Sequence, residues 1–227
     1  MVIAIDGYSS TGKSSLAKRL ANQFRFLYVD TGAMYRMVAL KALREGWINS
    51  KNEINYKLLE KNLPSLNIGF RRSSDGKNMA FLDGEIVEKD IRTMEINDIV
   101  SKISSLSIVR SQLVAQQQKI AVGKDLVMDG RDIGTVVFPN ADLKIFMQAE
   151  ADIRTDRRLL ELRSNGNLNV SFEEVKANLI QRDLDDQARS DSPLQKASDA
   201  VVLDNSEKSA EEVFKLVSSW VLEKINA

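Results

Sequence analysis

The chain has 227 residues, of which 43% are hydrophobic and 28% are charged, as in a globular protein with a sizeable core. Lys+Arg and Asp+Glu both number 32, and this zero net charge argues against a broad surface for nucleic acid or anionic membranes. Cysteine and histidine are both absent, which excludes disulfides, thiolate or imidazole metal ligands and a histidine base. No signal peptide or membrane-length apolar run is present, so we expect a cytoplasmic protein.

Buried strands and amphipathic helices alternate along the chain. Short apolar runs typical of strands buried on both faces lie at residues 1–6, 26–30, 125–129, 143–147 and 200–204. Helical patterns lie at residues 16–24, 31–44, 93–122, 150–162, 171–189 and 207–225. This alternation predicts an α/β fold with a parallel sheet covered by helices on both faces.

Residues 66–88 break this alternation. Short β-like pieces are joined there by Asp75-Gly76 and Asp83-Gly84, which are dipeptides typical of hairpin turns. We therefore predict a small antiparallel insertion inside the α/β domain. The polar, turn-rich residues 161–170 predict a mobile loop between two helices.

The stretch GYSSTGKSS at residues 7–15 has the Gly-x-x-x-x-Gly-Lys-Ser spacing of a phosphate-binding loop. It lies between a buried strand and an amphipathic helix, the context that distinguishes such a loop from an ordinary Gly/Ser-rich turn. Lys13 is predicted to reach the β- and γ-phosphates, and the Ser14 hydroxyl is predicted to bind Mg²⁺. The predicted nucleotide-binding residues are Gly7, Tyr8, Ser9, Ser10, Thr11, Gly12, Lys13, Ser14 and Ser15.

Two acids and an arginine lie at the end of the apolar run at 125–129 and just beyond it. Asp129 ends the predicted strand, where nucleoside triphosphatases place the acid on the Mg²⁺ side. Arg131 and Asp132 lie beyond the carboxyl end of the sheet, where ligands bind in open α/β folds. A turn cap with a surface ion pair is the alternative, and the phosphate loop favours the functional interpretation.

Two predicted helices in the second half of the chain are rich in arginine. A solvated helix with internal ion pairs explains such a pattern, and so does a lid that closes over the transferred phosphate with bidentate guanidinium groups. The sequence leaves both interpretations open. The residues are Arg154, Arg157, Arg158 and Arg163, followed by Arg182, Asp186 and Arg189 on one helix face.

The segment DTGAMYR at residues 30–36 follows the second predicted strand. Thr31 can cap the next helix, and Arg36, one turn inside it, is a candidate to hold a second phosphate group. A phosphate-monoester acceptor suits a chain without histidine, because its second pKa of about 6 leaves it ionised without a base. An Asp base would also serve a hydroxyl acceptor, so the acceptor stays open.

Five segments together resemble the cytidylate kinase family in its longer bacterial form. The match runs in order over nearly the whole chain, and DGRDIGTVVFP is its most specific part. The segments are IDGYSSTGKSS (5–15), DTGAMYR (30–36), IRTMEINDIVSKISSLSIVRSQL (91–113), DGRDIGTVVFPNADLKIFM (129–147) and QRDLDDQARSDSPL (181–194).

The resemblance implies a P-loop NTPase fold of class α/β, with a five-stranded parallel sheet, the antiparallel insertion and a short lid. The implied core domain comprises residues 1–30, 93–153 and 190–227. The monophosphate-binding region comprises 31–92, with its insertion near 64–90, and the lid with its flanking helices comprises 154–189. The implied reaction uses ATP and Mg²⁺ to convert CMP or dCMP into CDP or dCDP. We expect a monomer that binds neither nucleic acid nor membrane.

The resemblance also implies residue roles, carried over by position. The residues it implies in catalysis are Lys13, Arg131, Arg157, Arg158 and Arg163, the last three in the lid. Acceptor-side residues are Thr31, the phosphate clamp Arg36 and Arg131, the cytosine readers Ser101, Arg110 and Asp132, the pentose pair Arg182 and Asp186, and the phosphate contact Arg189. Ser14 and Asp129 are the residues implied to bind Mg²⁺. An acid plus an arginine complements cytosine, whose amino donor lies beside the N3 acceptor, and mismatches uracil.

Two positions depart from the family pattern, since Tyr8 stands where proline is usual and Thr31 where some members have serine. Three other functions stay open from the residues alone. One is a kinase of another monophosphate or of a small hydroxy acid. Another is a GTPase-type switch, against which the absence of Asn-Lys-x-Asp and Asp-x-x-Gly argues. The last is a non-catalytic nucleotide-binding module.

Overall fold

The structure is a computed structural model that describes residues 1–49, 51, 53–72, 78–164, 166 and 169–226. It consists of two compact units, one formed by residues 1–28 and 121–227 and the other by residues 29–120. Residues 93–120, assigned to the core domain from the sequence, group with the second unit. The functional division into core, monophosphate-binding region and lid stays a prediction.

The described elements follow the predicted order closely. They are β1 (Val2–Gly7), α1 (Lys13–Phe24), β2 (Leu27–Asp30), α2 (Thr31–Arg44), α3 (Tyr56–Asn62), β3 (Ile68–Arg72), β4 (Asn78–Leu82), β5 (Glu85–Ile86), α4 (Met94–Ser104), α5 (Ser107–Ala121), β6 (Leu126–Asp129), β7 (Leu143–Gln148), α6 (Ala151–Ser164), α7 (Phe172–Gln187), β8 (Val201–Asp204) and α8 (Ala210–Ile225).

The main sheet has the strand order β2-β6-β1-β7-β8. β1 runs parallel to both of its neighbours, with Ile3 opposite Val127 of β6 and Leu143 of β7. Apolar residues of α1 and α8, among them Leu20 and Val217, pack with the strand residues into one buried core. The predicted α/β class with a five-stranded parallel sheet is confirmed. None of the described helices is long and apolar enough to cross a membrane.

The first unit also holds α6 and α7, which we call the lid helices. They pack on each other through Leu159, Val175 and Leu179. α7 begins at a capping box in which Ser171 and Glu174 satisfy each other's backbone N–H groups. α6 extends to Ser164, further than its apolar pattern indicated, and residues 165, 167 and 168 of the predicted loop lie outside the described residues.

The second unit contains the predicted antiparallel insertion, as a sheet of strand order β3-β4-β5. Asp83 and Gly84 form the β4–β5 turn with φ of 48° and 101°, the left-handed values that a tight hairpin turn requires. The second predicted hairpin dipeptide, Asp75-Gly76, lies outside the described residues.

The helical pattern predicted over residues 93–122 is divided between two helices, because α4 ends at Ser104 and α5 starts at Ser107. Two consecutive serines lie at the break. The Ser104 hydroxyl donates to the Ser101 carbonyl and the Ser105 hydroxyl donates to the Lys102 carbonyl, at 3.0 and 2.8 Å. Such bonds compete with helical backbone hydrogen bonds, so consecutive serines favour a helix end.

Candidate functional site

The phosphate loop connects β1 to α1 in the first unit. At Gly7, where φ is 139°, an added Cβ would lie 1.9 Å from the Met147 carbonyl oxygen of β7, so no other residue fits. Ser10 and Gly12 are left-handed, with φ of 59° and 89°. These turns bring the backbone back over the N-terminus of α1, whose positive end favours phosphate.

Lys13 is buried beneath this loop. Its Nζ donates to the Tyr8 carbonyl at 2.5 Å and to Thr11 Oγ1 at 3.4 Å. Burial, helped by the charge of Arg131, holds the pKa of Lys13 well below its ordinary value, while the charge of Asp129 opposes that shift. A poorly solvated cation of this kind gains from an anionic ligand, which is what a phosphate group supplies.

Ser14 and Asp129 meet at the carboxyl end of the sheet. The Ser14 hydroxyl donates to Asp129 Oδ2 at 2.7 Å, and the Tyr28 hydroxyl donates to Oδ1 at 2.9 Å. Hydroxyl and carboxylate oxygens are ligands that Mg²⁺ accepts. The described residues contain no group of three or more acids placed to hold a metal. The pair therefore fits an ion that takes its other ligands from phosphates and water.

Arg131 contacts the phosphate loop directly. Its Nη2 donates to Ser9 Oγ at 2.9 Å, and its Nε donates to Asp186 Oδ2 at 2.8 Å. Arg189 donates to the other oxygen of Asp186. Burial alone would lower the pKa of Arg131, but the charge of Asp186 raises it above its ordinary value. Burial alone would likewise raise the pKa of Asp186, but the charges of Arg131, Arg189 and Arg182 lower it below its ordinary value. Four predicted substrate-binding residues thus form one charged cluster.

Asp6 is a buried acid that the sequence patterns did not mark as functional. Its carboxylate accepts the backbone N–H groups of Ile133 at 2.8 Å and Gly134 at 2.7 Å. It therefore holds the segment immediately after Arg131 and the buried Asp132. Burial raises the pKa of Asp6 to about 6 against the pull of these two hydrogen bonds.

A cavity of about 450 Å³ opens beside the phosphate loop and is lined in part by Gly12 and Arg19. Arg157 also lines it and donates to the side-chain and backbone oxygens of Asn205, at 3.1 and 2.9 Å. Asn205 in turn donates to the Thr11 carbonyl at 2.8 Å. One of the three lid arginines therefore lies next to the loop.

The other two lid arginines lie further along α6. Arg158 forms an ion pair with Glu161 at 2.8 Å, and Arg163 is exposed in the last turn. Within the part of the chain that the structure describes, neither of them is hydrogen-bonded to the phosphate loop. In this conformation they resemble the solvated helix face that the sequence left as an alternative.

In the second unit, α2 carries Thr31 and Arg36. The cap of α2 is Asp30, which accepts the Ala33 N–H at 2.9 Å, and Thr31 is the first helical residue, so the prediction that Thr31 caps this helix is wrong. Arg36 donates to Asn97 Oδ1 at 2.6 Å. Arg36 also donates to the Ile91 carbonyl at 3.3 Å, so these two contacts fix the orientation of its guanidinium.

Ser101 and Arg110 belong to the same neighbourhood of the second unit. Arg110 on α5 is 2% exposed, donates to the Ser104 carbonyl at 3.0 Å and lies 5.5 Å from the centre of the Tyr35 ring. The Ser104 hydroxyl donates to the carbonyl of Ser101, whose own side chain is exposed. A buried arginine stacked on an aromatic ring presents a guanidinium in a fixed orientation.

The sequence profile described as cytidylate kinase matches residues 3–223 of the chain. The chain belongs to the cytidylate kinase family. A cytidylate kinase of Flavobacterium johnsoniae is 51% identical over 222 residues, covering 97% of this chain and 96% of that one. One of Phocaeicola vulgatus is 47% identical over 228 residues, covering 100% and 97%.

Membership in the cytidylate kinase family confirms the resemblance and the predicted enzyme class, a phosphotransferase with a phosphate group as acceptor. A crystal structure of an uncharacterized protein from Eubacterium ventriosum has a TM-score of 0.52 at 11% identity, covering 98% of each chain, and shares the fold.

Tyr8, where the cytidylate kinase family usually has proline, is held by its side chain. The ring packs edge-on against Phe146 at 5.7 Å between centroids, and the hydroxyl accepts a hydrogen bond from Gln187 at 3.2 Å. The guanidinium of Arg154 lies 5.3 Å from the ring centre. Packing of the tyrosine ring thus supplies an anchor that a proline would provide through its restricted φ.

Proposed function

We propose that this chain transfers the γ-phosphoryl group of ATP to CMP or dCMP, giving ADP and CDP or dCDP. The observation that carries the proposal is the 2.9 Å contact of Arg131 with Ser9 of the phosphate loop. Phosphoryl transfer between two nucleotides requires two anions to approach to within about 3–3.5 Å. An arginine that touches the donor loop and belongs to the acceptor clamp supplies the cation that such an approach needs.

On the donor side, the backbone of residues 7–15 and Lys13 would hold the ATP phosphates. Ser14 and Asp129 would hold Mg²⁺, because the adjacent oxygens of their side chains fit that ion. Bound there, the ion would supply positive charge that neutralises the donor phosphates. The cavity beside Gly12 and Arg157 is where the rest of the donor nucleotide would lie.

On the acceptor side, Arg36 and Arg131 would bind the CMP phosphate, with Arg189 as a further contact. Asp186 and Arg182 would bind the pentose. Asp186 already accepts from two arginines, but a carboxylate has about four acceptor positions, so it retains capacity for a ribose hydroxyl. Ser101, Arg110 and Asp132 would read cytosine, and Thr31 would lie at the start of the acceptor site.

During the reaction, negative charge spreads over the oxygens of the transferred group. Arg157, Arg158 and Arg163 would stabilise that charge from the lid, while the acceptor phosphate, already ionised, needs no base. The proposal also includes that the protein is monomeric and cytoplasmic and binds no nucleic acid.

A coupled assay for ADP production with CMP, dCMP, UMP, AMP and dTMP as acceptors tests the function. We expect CMP and dCMP to give the highest kcat/KM values. Equal rates with all five acceptors, or ADP production that ignores the acceptor, would reject the proposal.

The cytosine assignment has its own test in Asp132→Asn, which keeps the shape of the side chain and removes its charge. We expect kcat/KM for CMP to fall about 10- to 100-fold, as for a lost buried hydrogen bond, with ADP affinity nearly unchanged. Asp185→Asn, on the exposed side of α7, is the matched control. Equal CMP kinetics in the two variants would remove Asp132 from the cytosine site.

A further inference from the structure

Ser9 is a loop residue whose polar groups are all bound by charged side chains. Its N–H donates to Asp183 Oδ1 at 2.9 Å, and its carbonyl accepts from Arg154 Nη1 at 3.1 Å. Its hydroxyl accepts from Arg131, as described above. Ser9 is buried and is followed by the left-handed Ser10. Side chains of α6 and α7 therefore hold both backbone groups of Ser9 in place.

Arg154 and Asp183 hold each other as well as Ser9. They form an ion pair between the two lid helices, with side chains only 8% and 7% exposed. Arg154 lies in the first turn of α6, where its Nε also donates to the Ala149 carbonyl at 3.0 Å. These contacts fix the guanidinium plane, and the fixed plane determines where the Ser9 carbonyl must lie.

We infer that Arg154 and Asp183 are positioning residues that set the peptide planes at Ser9, and thereby the shape of the phosphate loop that receives the donor nucleotide. The inference rests on the proposed function only in taking residues 7–15 as the donor site. Asp183 accepts the N–H at the start of Ser9 and Arg154 binds the carbonyl at its end. The chain therefore enters the left-handed turn at Ser10 in one orientation.

A purely structural role is the competing explanation, in which the pair only joins the lid helices. A second ion pair joins the same helices, between Lys176 on α7 and Asp152 on α6 at 2.5 Å, and its partly exposed atoms do not contact the loop. Asp152→Asn is therefore a matched control. It breaks an ion pair between α6 and α7 and leaves Ser9 untouched.

The test measures ADP affinity by isothermal titration calorimetry in Asp183→Asn, Arg154→Lys and Asp152→Asn, far below their melting temperatures. Arg154→Lys keeps the charge but cannot reach Ser9, Asp183 and Ala149 together. We expect ADP to bind about 10-fold more weakly to Asp183→Asn and to Arg154→Lys, the two positioning variants, because this is the effect of losing one buried hydrogen bond. The control should bind within about twofold of wild type, since exposed ion pairs contribute little. Unchanged ADP affinity in a folded positioning variant would overturn the inference.

Amide hydrogen exchange of residues 8–12 without nucleotide gives a second readout that requires no catalytic activity. We expect exchange to accelerate about 10-fold in the positioning variants and not in Asp152→Asn, because local opening exposes the Ser9 amide. If Asp183→Asn does not fold, Arg154→Lys alone decides, and unchanged exchange there would refute the role. Loss of CMP activity in the wild type would not alter either readout, so the two proposals fail separately.

Discussion

The base and the middle of α6 carry arginines in opposite environments. The Arg154 side chain is 8% exposed and bound to a buried carboxylate, whereas Arg158, one turn on, is 27% exposed and pairs with Glu161, which is 57% exposed. A buried ion must be fully paired at all times, while an exposed one can exchange partners at little cost. The environment of Arg154 therefore suits its proposed role in shaping the resting loop, and that of Arg158 suits its proposed role in binding charge that would develop during turnover.

The largest effect expected at the base of the lid is on stability. Asp183→Asn leaves Arg154 buried beside a neutral amide, and breaking a buried pair in this way costs about 3–5 kcal/mol. We expect the melting temperature to fall by about 10 °C, measured by calorimetry. A fall no larger than that of Asp152→Asn would show that the buried and exposed pairs are equivalent, and would remove the difference between the base and the middle of α6.

Arg157 and Arg158, in the middle of α6, should act on the rate instead. Removing Arg157 and Arg158 together should lower kcat by on the order of 10²-fold, with CMP affinity much less affected, because their charges act in the transition state. Steady-state kinetics with CMP and ATP measures this. An unchanged kcat would mean that the two arginines only form surface contacts.

Asp6 differs from Asp183 because backbone N–H groups, and not an arginine, bind this buried acid. Its folded-state pKa of about 6 lies above the unfolded value of 3.8, so the folded state keeps this proton to higher pH. The stability that Asp6 contributes is full below about pH 4 and is lost as pH rises through about 6. We expect wild type to lose about 2–3 kcal/mol relative to Asp6→Asn across that window, by urea unfolding at pH 4, 5.5 and 7. A constant difference between the two proteins would contradict the raised pKa.

The smallest effect should come from the exposed partner of Arg158. Glu161→Gln should change the free energy of unfolding by less than about 1 kcal/mol, because solvent screens the pair. Urea unfolding and kcat should both stay near wild type. A larger loss would show that the middle of α6 is as tightly organised as its base.

Local patterns explain which parts were predictable from the sequence. The phosphate loop, the parallel strands and the Asp83-Gly84 turn each depend on residues adjacent in the chain, so their spacing was sufficient. The break between α4 and α5 is not visible in the apolar pattern, because that periodicity continues through it, and its local mark is a pair of serines at residues 104 and 105.

Contacts between distant residues explain what was missed at the site. Arg154 was noted only as one of a run of arginines, and Asp183 was not noted, since its partner Ser9 lies 174 residues away. Asp6 is the last residue of the apolar run at residues 1–6, and that pattern does not distinguish it from an ordinary strand end. A charged residue at a position that the sequence pattern predicts to be buried is the signal that identifies such residues. An acid inside an apolar run and an arginine on the inner side of a helix both require partners.

The most direct test of the account is a single-turnover quench-flow experiment with ATP labelled in its γ-phosphoryl group and excess enzyme and CMP. Direct transfer between the two nucleotides predicts that the label passes from ATP to CDP in one step, without release of inorganic phosphate. Label that appears as inorganic phosphate, or remains in ATP while CMP is bound, would contradict transfer between the two nucleotides.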